Sequence, residues 1–357
     1  MGAKKEVLEV VTGWKAVELV LKCFFIGIWQ LIQISVKRLW KGHRRITTNN
    51  SQIELTVDSS IGRHCYIKIM GVKYHYVETG PKSGKIVLVL GDAPDTVNLW
   101  GPTWCHAVKR LADSGHHVVT LDLRGTGASE GGSRSDLTPP RAVEELATVM
   151  AALGVTDDDP AIVIGFGIGG MLAWYLAHCH TSLISKFCVI GAPHPNLYWQ
   201  YPPAVFCHSA LHFIQWPYFP ERWLADGEFQ GCEDGRWAST RARDWHGALH
   251  YVRGAAWYSI RAGAPLPAPA LLVGGESSAA QLVSSARYCG AATLRLVAAP
   301  HAADPQLPGI LLEFLQPKEK LVDEKEVSPK AGLMGRVFGA VRSGRELTAR
   351  LVLPTQA

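Results

Sequence analysis

Short apolar runs separated by turn residues dominate the middle of the chain. Residues 86–90 (IVLVL), 118–123 (VVTLDL), 161–164 (AIVI), 187–190 (FCVI) and 270–273 (ALLV) are hydrophobic stretches of strand length. Between them the spacing changes. Over 139–153, Val143, Leu146, Val149 and Met150 recur at helical intervals, and 170–178 and 308–315 also read as helices. Runs that are apolar throughout, rather than alternating, suit strands covered on both faces. Such strands alternating with helices predict an α/β chain, with a mostly parallel sheet flanked by helices.

Two regions break this pattern. From 193 to 262, tryptophan, proline and tyrosine accumulate and no buried strand is expected. This reads as a helical cap inserted over the carboxyl edge of the sheet, where open α/β folds place their sites. Residues 19–36 (LVLKCFFIGIWQLIQISV) are apolar apart from Lys22, Gln30, Gln33 and Ser35. A helix through them is ~27 Å long, just under a ~30 Å hydrocarbon core. Lys22 is near enough to one end to snorkel, and no small-residue cleavage pattern follows. An uncleaved membrane anchor, a monotopic interfacial helix and a buried soluble helix all remain open, in that order of preference. Lys37, Arg38, Lys41, Arg44 and Arg45 follow the segment, which favours a cytosolic domain. The sequon Asn49-Asn50-Ser51 matters only if the domain is lumenal.

After Pro317 comes a charged stretch, 318–330, that reads as solvated. Residues 333–353 form a basic amphipathic pattern interrupted by glycine, open between disorder and surface binding. The expected organisation is a membrane anchor over 1–41, a core over 42–192 and 263–317, a cap over 193–262 and a tail over 318–357. A chain of 357 residues accommodates one core with such an insertion. The net charge is only +5 and forms no basic stripe, so nucleic acid is not an expected partner. The eight cysteines show no Cys-x-x-Cys pair and no Cys/His cluster. They read as reduced thiols, with neither a metal site nor a cofactor implied.

Four ordered segments carry a resemblance. They are Gly91-Asp92-Ala93-Pro94; Leu121-Asp122-Leu123-Arg124-Gly125-Thr126-Gly127; Gly165-Phe166-Gly167-Ile168-Gly169-Gly170; and Ala192-Pro193-His194-Pro195-Asn196. With Gln215-Trp216-Pro217-Tyr218-Phe219-Pro220-Glu221 and His301, the series resembles membrane-anchored epoxide hydrolases of the α/β-hydrolase superfamily, over roughly residues 72–315. The resemblance implies an α/β-hydrolase fold with a helical cap. It also implies a nucleophile elbow, a sharp strand-to-helix turn of the form Gly-x-nucleophile-x-Gly.

At the chemical positions this chain departs from the family. The elbow centre is Gly167, where the family has an aspartate that forms an ester with the epoxide carbon. The oxyanion loop, normally His-Gly-x-Pro, reads Gly91-Asp92-Ala93-Pro94, which puts a carboxylate where a developing negative charge would be held. His301 matches the family base, but Ser278 stands where the resemblance expects its acid partner. One of the two cap tyrosines that donate to the epoxide oxygen falls on Val252, beside Tyr251; the other falls near Ala210. Ala93, Trp100, Ile168 and Tyr251 are candidate pocket residues. The leading expectation is a catalytically silent, membrane-associated relative, placed at the endoplasmic reticulum, that binds a lipophilic ligand or a protein partner. The alternative is a hydrolase with a rebuilt site, in which Asp92 and His301 activate water directly.

Overall fold

The apolar runs become the middle of a sheet that has nine strands among the described residues. The computed structural model describes residues 7–41, 62–92, 102–197, 199–200, 210–225, 244–261, 263–298, 304–315 and 349–352. The parallel strands are β4 (Ile86–Leu90), β5 (His117–Leu121), β6 (Ala161–Phe166), β7 (Ile184–Ile190), β9 (Ala270–Gly274) and β10 (Ala291–Leu296). An antiparallel hairpin, β2 (Arg63–Ile69) and β3 (Val72–Thr79), joins the sheet beside β5. The order across the sheet is β11-β10-β9-β7-β6-β4-β5-β3-β2, with β11 formed by Ala349–Val352.

Burial on both faces explains why the central strands are apolar without alternation. Leu88, Leu90, Val119, Val163, Val189 and Leu272 point into one core, shared with helices α3 (Pro139–Ala152) and α4 (Gly167–Cys179). Their strand neighbours Val87, Val89, Val118, Ile164, Cys188 and Val273 point into the other, under α2 (Pro102–Asp113) and α9 (Leu307–Leu315). The cap contributes α5 (Ala210–Ile214), α6 (Phe219–Ala225) and α7 (Asp244–Ala255), and α8 (Ala279–Ala286) follows β9.

Two features depart from the sequence expectation. The cap region holds a short strand, β8 (Tyr258–Ile260), which pairs antiparallel with β1 (Leu8–Val10). Three-residue strands are too short to leave a period in the sequence. The tail over 333–353, which the sequence leaves open between disorder and surface binding, includes β11 (Ala349–Val352), which extends the sheet antiparallel to β10. There the exposed backbone groups of an edge strand offer pairing that a solvated tail forgoes. The apolar amino-terminal segment is one helix, α1 (Gly13–Lys41), long and apolar enough by length and composition to cross a membrane. It lies against α5.

Candidate active site

The register between β4 and β6 sets the centre of the site. Leu90 lies opposite Gly165, so Gly91-Asp92 and Phe166-Gly167 leave their parallel strands side by side. β6 stops at Phe166 and α4 starts at once, with Gly167 at φ 47°. A left-handed residue between strand and helix is the backbone of a nucleophile elbow. Crowding accounts for the flanking glycine: a Cβ on Gly169 would stand 2.3 Å from the Leu90 carbonyl oxygen.

The apex has no side chain, yet its place is occupied. A Cβ on Gly167 would lie 2.3 Å from each of Cγ, Oδ1 and Oδ2 of Asp92. Asp92 Oδ1 also accepts the Ile168 amide at 3.0 Å. Ile168 is in the first turn of α4, where unpaired N–H groups and the helix dipole favour negative charge. In α/β-hydrolases the amide one residue past the apex donates to the oxyanion. Here a carboxylate already holds that donor, and an oxygen gaining negative charge would meet a like charge.

The other sequence-selected residues are spread over three elements. Gly91, Asp92, Gly167 and Ile168 come together at the elbow. Ser278 lies in the turn after β9, and its hydroxyl donates to the Gly275 carbonyl at 2.8 Å, back into its own loop. Val252 is fully buried in α7. Tyr251, next to it, is buried in the core cluster that spans cap and sheet. Burial, and then the nearby Glu145 carboxylate, push its phenol well above the ordinary value. Glu145 itself accepts from the Tyr74 hydroxyl and from Arg124 Nη1, the latter at 2.5 Å. Ala210 opens α5. Ala93, Trp100 and His301 lie outside the described residues.

Two further polar arrangements hold buried ionisable groups. His194 is fully buried in the loop after β7 and stacks on Tyr288 with ring centroids 3.5 Å apart. Its Nε2 lies 3.1 Å from Nε2 of His178, and its Nδ1 accepts the Asn196 amide at 3.2 Å. Burial, with His178 close by, lowers its pKa to about 2, and burial lowers that of His178 to about 4. Nothing in Ala192-Pro193-His194 announces a neutral, stacked imidazole. Asp304 is the other case, a carboxylate 1% exposed that accepts the Gln306 amide at 2.9 Å ahead of α9. Asp304-Pro305 before an apolar helix is a legible helix-start signal.

Known proteins agree with this architecture. Epoxide hydrolase 4 of Mus musculus is 32% identical over 183 residues, 49% of this chain and 49% of its own length. Epoxide hydrolase 3 of Xenopus tropicalis is 29% identical over 179 residues, 48% of this chain and 47% of its own. The chain thus spans about half the length of the curated relatives it matches. Among solved structures, an epoxide hydrolase from Vigna radiata superposes with TM-score 0.54 at 18% identity, covering 72% of this chain and 98% of that one. Epoxide hydrolase A from Mycobacterium thermoresistibile gives TM-score 0.54 at 17% identity, covering 71% and 98%. Such low identities speak for the fold alone. Residues 86–320 match the model described as alpha/beta hydrolase family. With its parallel sheet, its glycine elbow and that match, the chain belongs to the alpha/beta hydrolase family.

Proposed function

We propose that this chain is an epoxide-hydrolase-like, membrane-associated protein that does not hydrolyse epoxides covalently and acts by binding a lipophilic ligand or a protein partner. The observation that carries this reading is the fit of Asp92 into the space above Gly167. An elbow without a side chain offers no nucleophile. The Asp92 carboxylate, bonded to the Ile168 amide, fills the same space and engages a donor that an oxyanion needs. Ser278 bonds within its own turn, and Val252 offers no hydroxyl. The described helices of 193–262 pack on the hydrolase core, which supports a ligand-covering role for this region while the chemical groups are missing. We assign a lipophilic small molecule as the ligand class, a reading supported by relatives that carry the name epoxide hydrolase, and the endoplasmic reticulum as the compartment.

Purified full-length protein incubated with styrene-oxide-type and fatty-acid epoxides is expected to yield no diol above the buffer rate. Sustained diol formation that scales with protein would overturn the reading. Solvent extraction of the same preparation, followed by mass spectrometry, is expected to recover a co-purifying apolar molecule.

One observation favours a second reading: a carboxylate does stand over the elbow, supplied by Asp92 rather than by residue 167. With His301 it would form an acid–base pair that activates water directly. In that case diol forms in the native protein and is lost in Asp92→Asn. Absence of turnover in both excludes it.

A further inference from the structure

The amino-terminal helix has two faces with different fates. Leu19, Cys23, Gly27 and Ile34 form a buried stripe at helical spacing, turned toward the cap and the core. Trp14, Leu21, Phe25, Ile32 and Leu39 lie on the opposite side and are exposed, Trp14 by 77% and Phe25 by 64%. A soluble helix with one docked face carries polar residues on the other. This one carries tryptophan, phenylalanine and leucine there.

The docking is specific. Trp216 in the cap donates its indole N–H to the Cys23 carbonyl at 2.8 Å and stacks on Phe24. Gly27 makes room for that indole, because a Cβ there would lie 2.1 Å from Trp216 Nε1. Ahead of the helix, β1 pairs with β8, the Val11 amide donates to the Trp257 carbonyl at 2.9 Å, and Glu9 pairs with Arg261 at 2.7 Å. Farther along, Ile34 belongs to the main core cluster.

These attachments decide how the helix can meet a bilayer. From Gly13 to Ile34 the helix runs ~33 Å beside the folded domain, about the thickness of the hydrocarbon core. A spanning orientation would draw the attached cap, with its buried Arg253–Glu221 pair and the buried Gln215 side-chain amide, which has no partner among the described residues, to hydrocarbon depth. An in-plane orientation places only the exposed apolar side in lipid. In the cap, just past the Trp216 that stacks on Phe24, Tyr218, 68% exposed, and Phe219 are two more exposed aromatic side chains. Lys15, Lys22 and Lys37 are exposed along the helix flank, Lys22 in an ion pair with Glu18 at 2.6 Å, and the surplus positive charge suits anionic phosphate headgroups.

We propose that α1 lies along one leaflet rather than crossing the bilayer: clamped to the cap by one face, it inserts the opposite face together with Tyr218 and Phe219, and holds the cap against the membrane surface. The occupant of this apolar face is a lipid leaflet, and the proposal is independent of whether the elbow is catalytic.

The test uses the full chain. On phosphatidylcholine vesicles with and without phosphatidylserine, the native protein should float with lipid, more strongly with the anionic component. The triple variant Leu21→Glu/Phe25→Glu/Ile32→Glu changes only exposed positions. It should lose vesicle binding by about a hundredfold or more while keeping the native melting temperature. Epitope tags at both chain ends, exposed to protease on sealed microsomes, should both be digested. Protection of one tag would show a spanning helix and overturn the proposal. So would full vesicle binding by the triple variant, or a native protein that dimerises through this face in solution and does not float.

Discussion

Gly167 and Asp92 behave sterically as one side chain divided between two loops. This makes the outcome of restoring an acid at the apex specific. Gly167→Asp alone places a Cβ 2.3 Å from the Asp92 carboxylate and sets two like charges together. It should destabilise the protein by ~1–3 kcal/mol, as overpacking does, and give no turnover. The pair Gly167→Asp/Asp92→Gly removes the clash and should recover most of the melting temperature, still without turnover, because Ser278 and Val252 are unchanged. Thermal denaturation of the three proteins beside an epoxide assay checks both parts. The sequence showed the loss at 167 and the new acid at 92 separately. Only the parallel register of β4 and β6 shows that one fills the space of the other. Buried histidines give a second residue-scale expectation. His194 and His178 are held neutral, with pKa values lowered to about 2 and about 4. The unfolded chain takes up protons near 6.5, so it binds more protons than the folded one below that pH. Their contribution is complete above pH 6.5 and declines as pH falls, by ~1.4 kcal/mol per pH unit for a fully buried group such as His194. Urea unfolding at pH 7.5 and 5.5 should show this loss, and His194→Gln should flatten the slope even though it lowers stability at both values.

Elements whose residues share one environment were legible in the sequence, and elements defined by a partner were not. The central strands and α3 announce themselves because their periodicity reports their own burial. β2 begins Arg63-His64-Cys65-Tyr66, with no apolar run, and is fixed only by pairing with β3. β1, β8 and β11 exist only by virtue of the strands beside them. Within the cap, composition indicated helices but not what holds them together. That role falls to Arg253 of α7, 2% exposed, whose guanidinium donates to Glu221 Oε1 at 2.7 Å, to the Ile214 carbonyl at 2.7 Å and to the Trp216 carbonyl. One side chain thus ties α5, α6 and the Trp216 turn to α7. Arg253→Met leaves Glu221 buried without its partner and should cost ~3–5 kcal/mol. Limited proteolysis should then cut first within 193–262, with the sheet still protected.

At the scale of the whole molecule, residues 7–41 are part of the fold. From sequence, a chain beginning near Lys41 would be expected to behave as a soluble domain freed of its anchor. The structure changes that expectation, because removing α1 uncovers Trp216 and the core around Ile34, and removing β1 leaves β8 without its partner. Such a shortened chain should melt at lower temperature and self-associate, as light scattering would show, whereas the full-length triple-glutamate variant should stay monomeric. The pairing of β1 with β8 also sets an order in time. β8 ends at Ile260, and ribosomes add ~5–20 residues per second, so the helix leaves the ribosome roughly 10–40 s before the segment that clamps it is synthesised. During that interval Leu19, Cys23 and Ile34 are as bare as Trp14 and Phe25, and the nascent chain presents an apolar helix on every side. A factor that reads the hydrophobicity of nascent chains would meet the helix in that form, before the protein has its own cap to fold against.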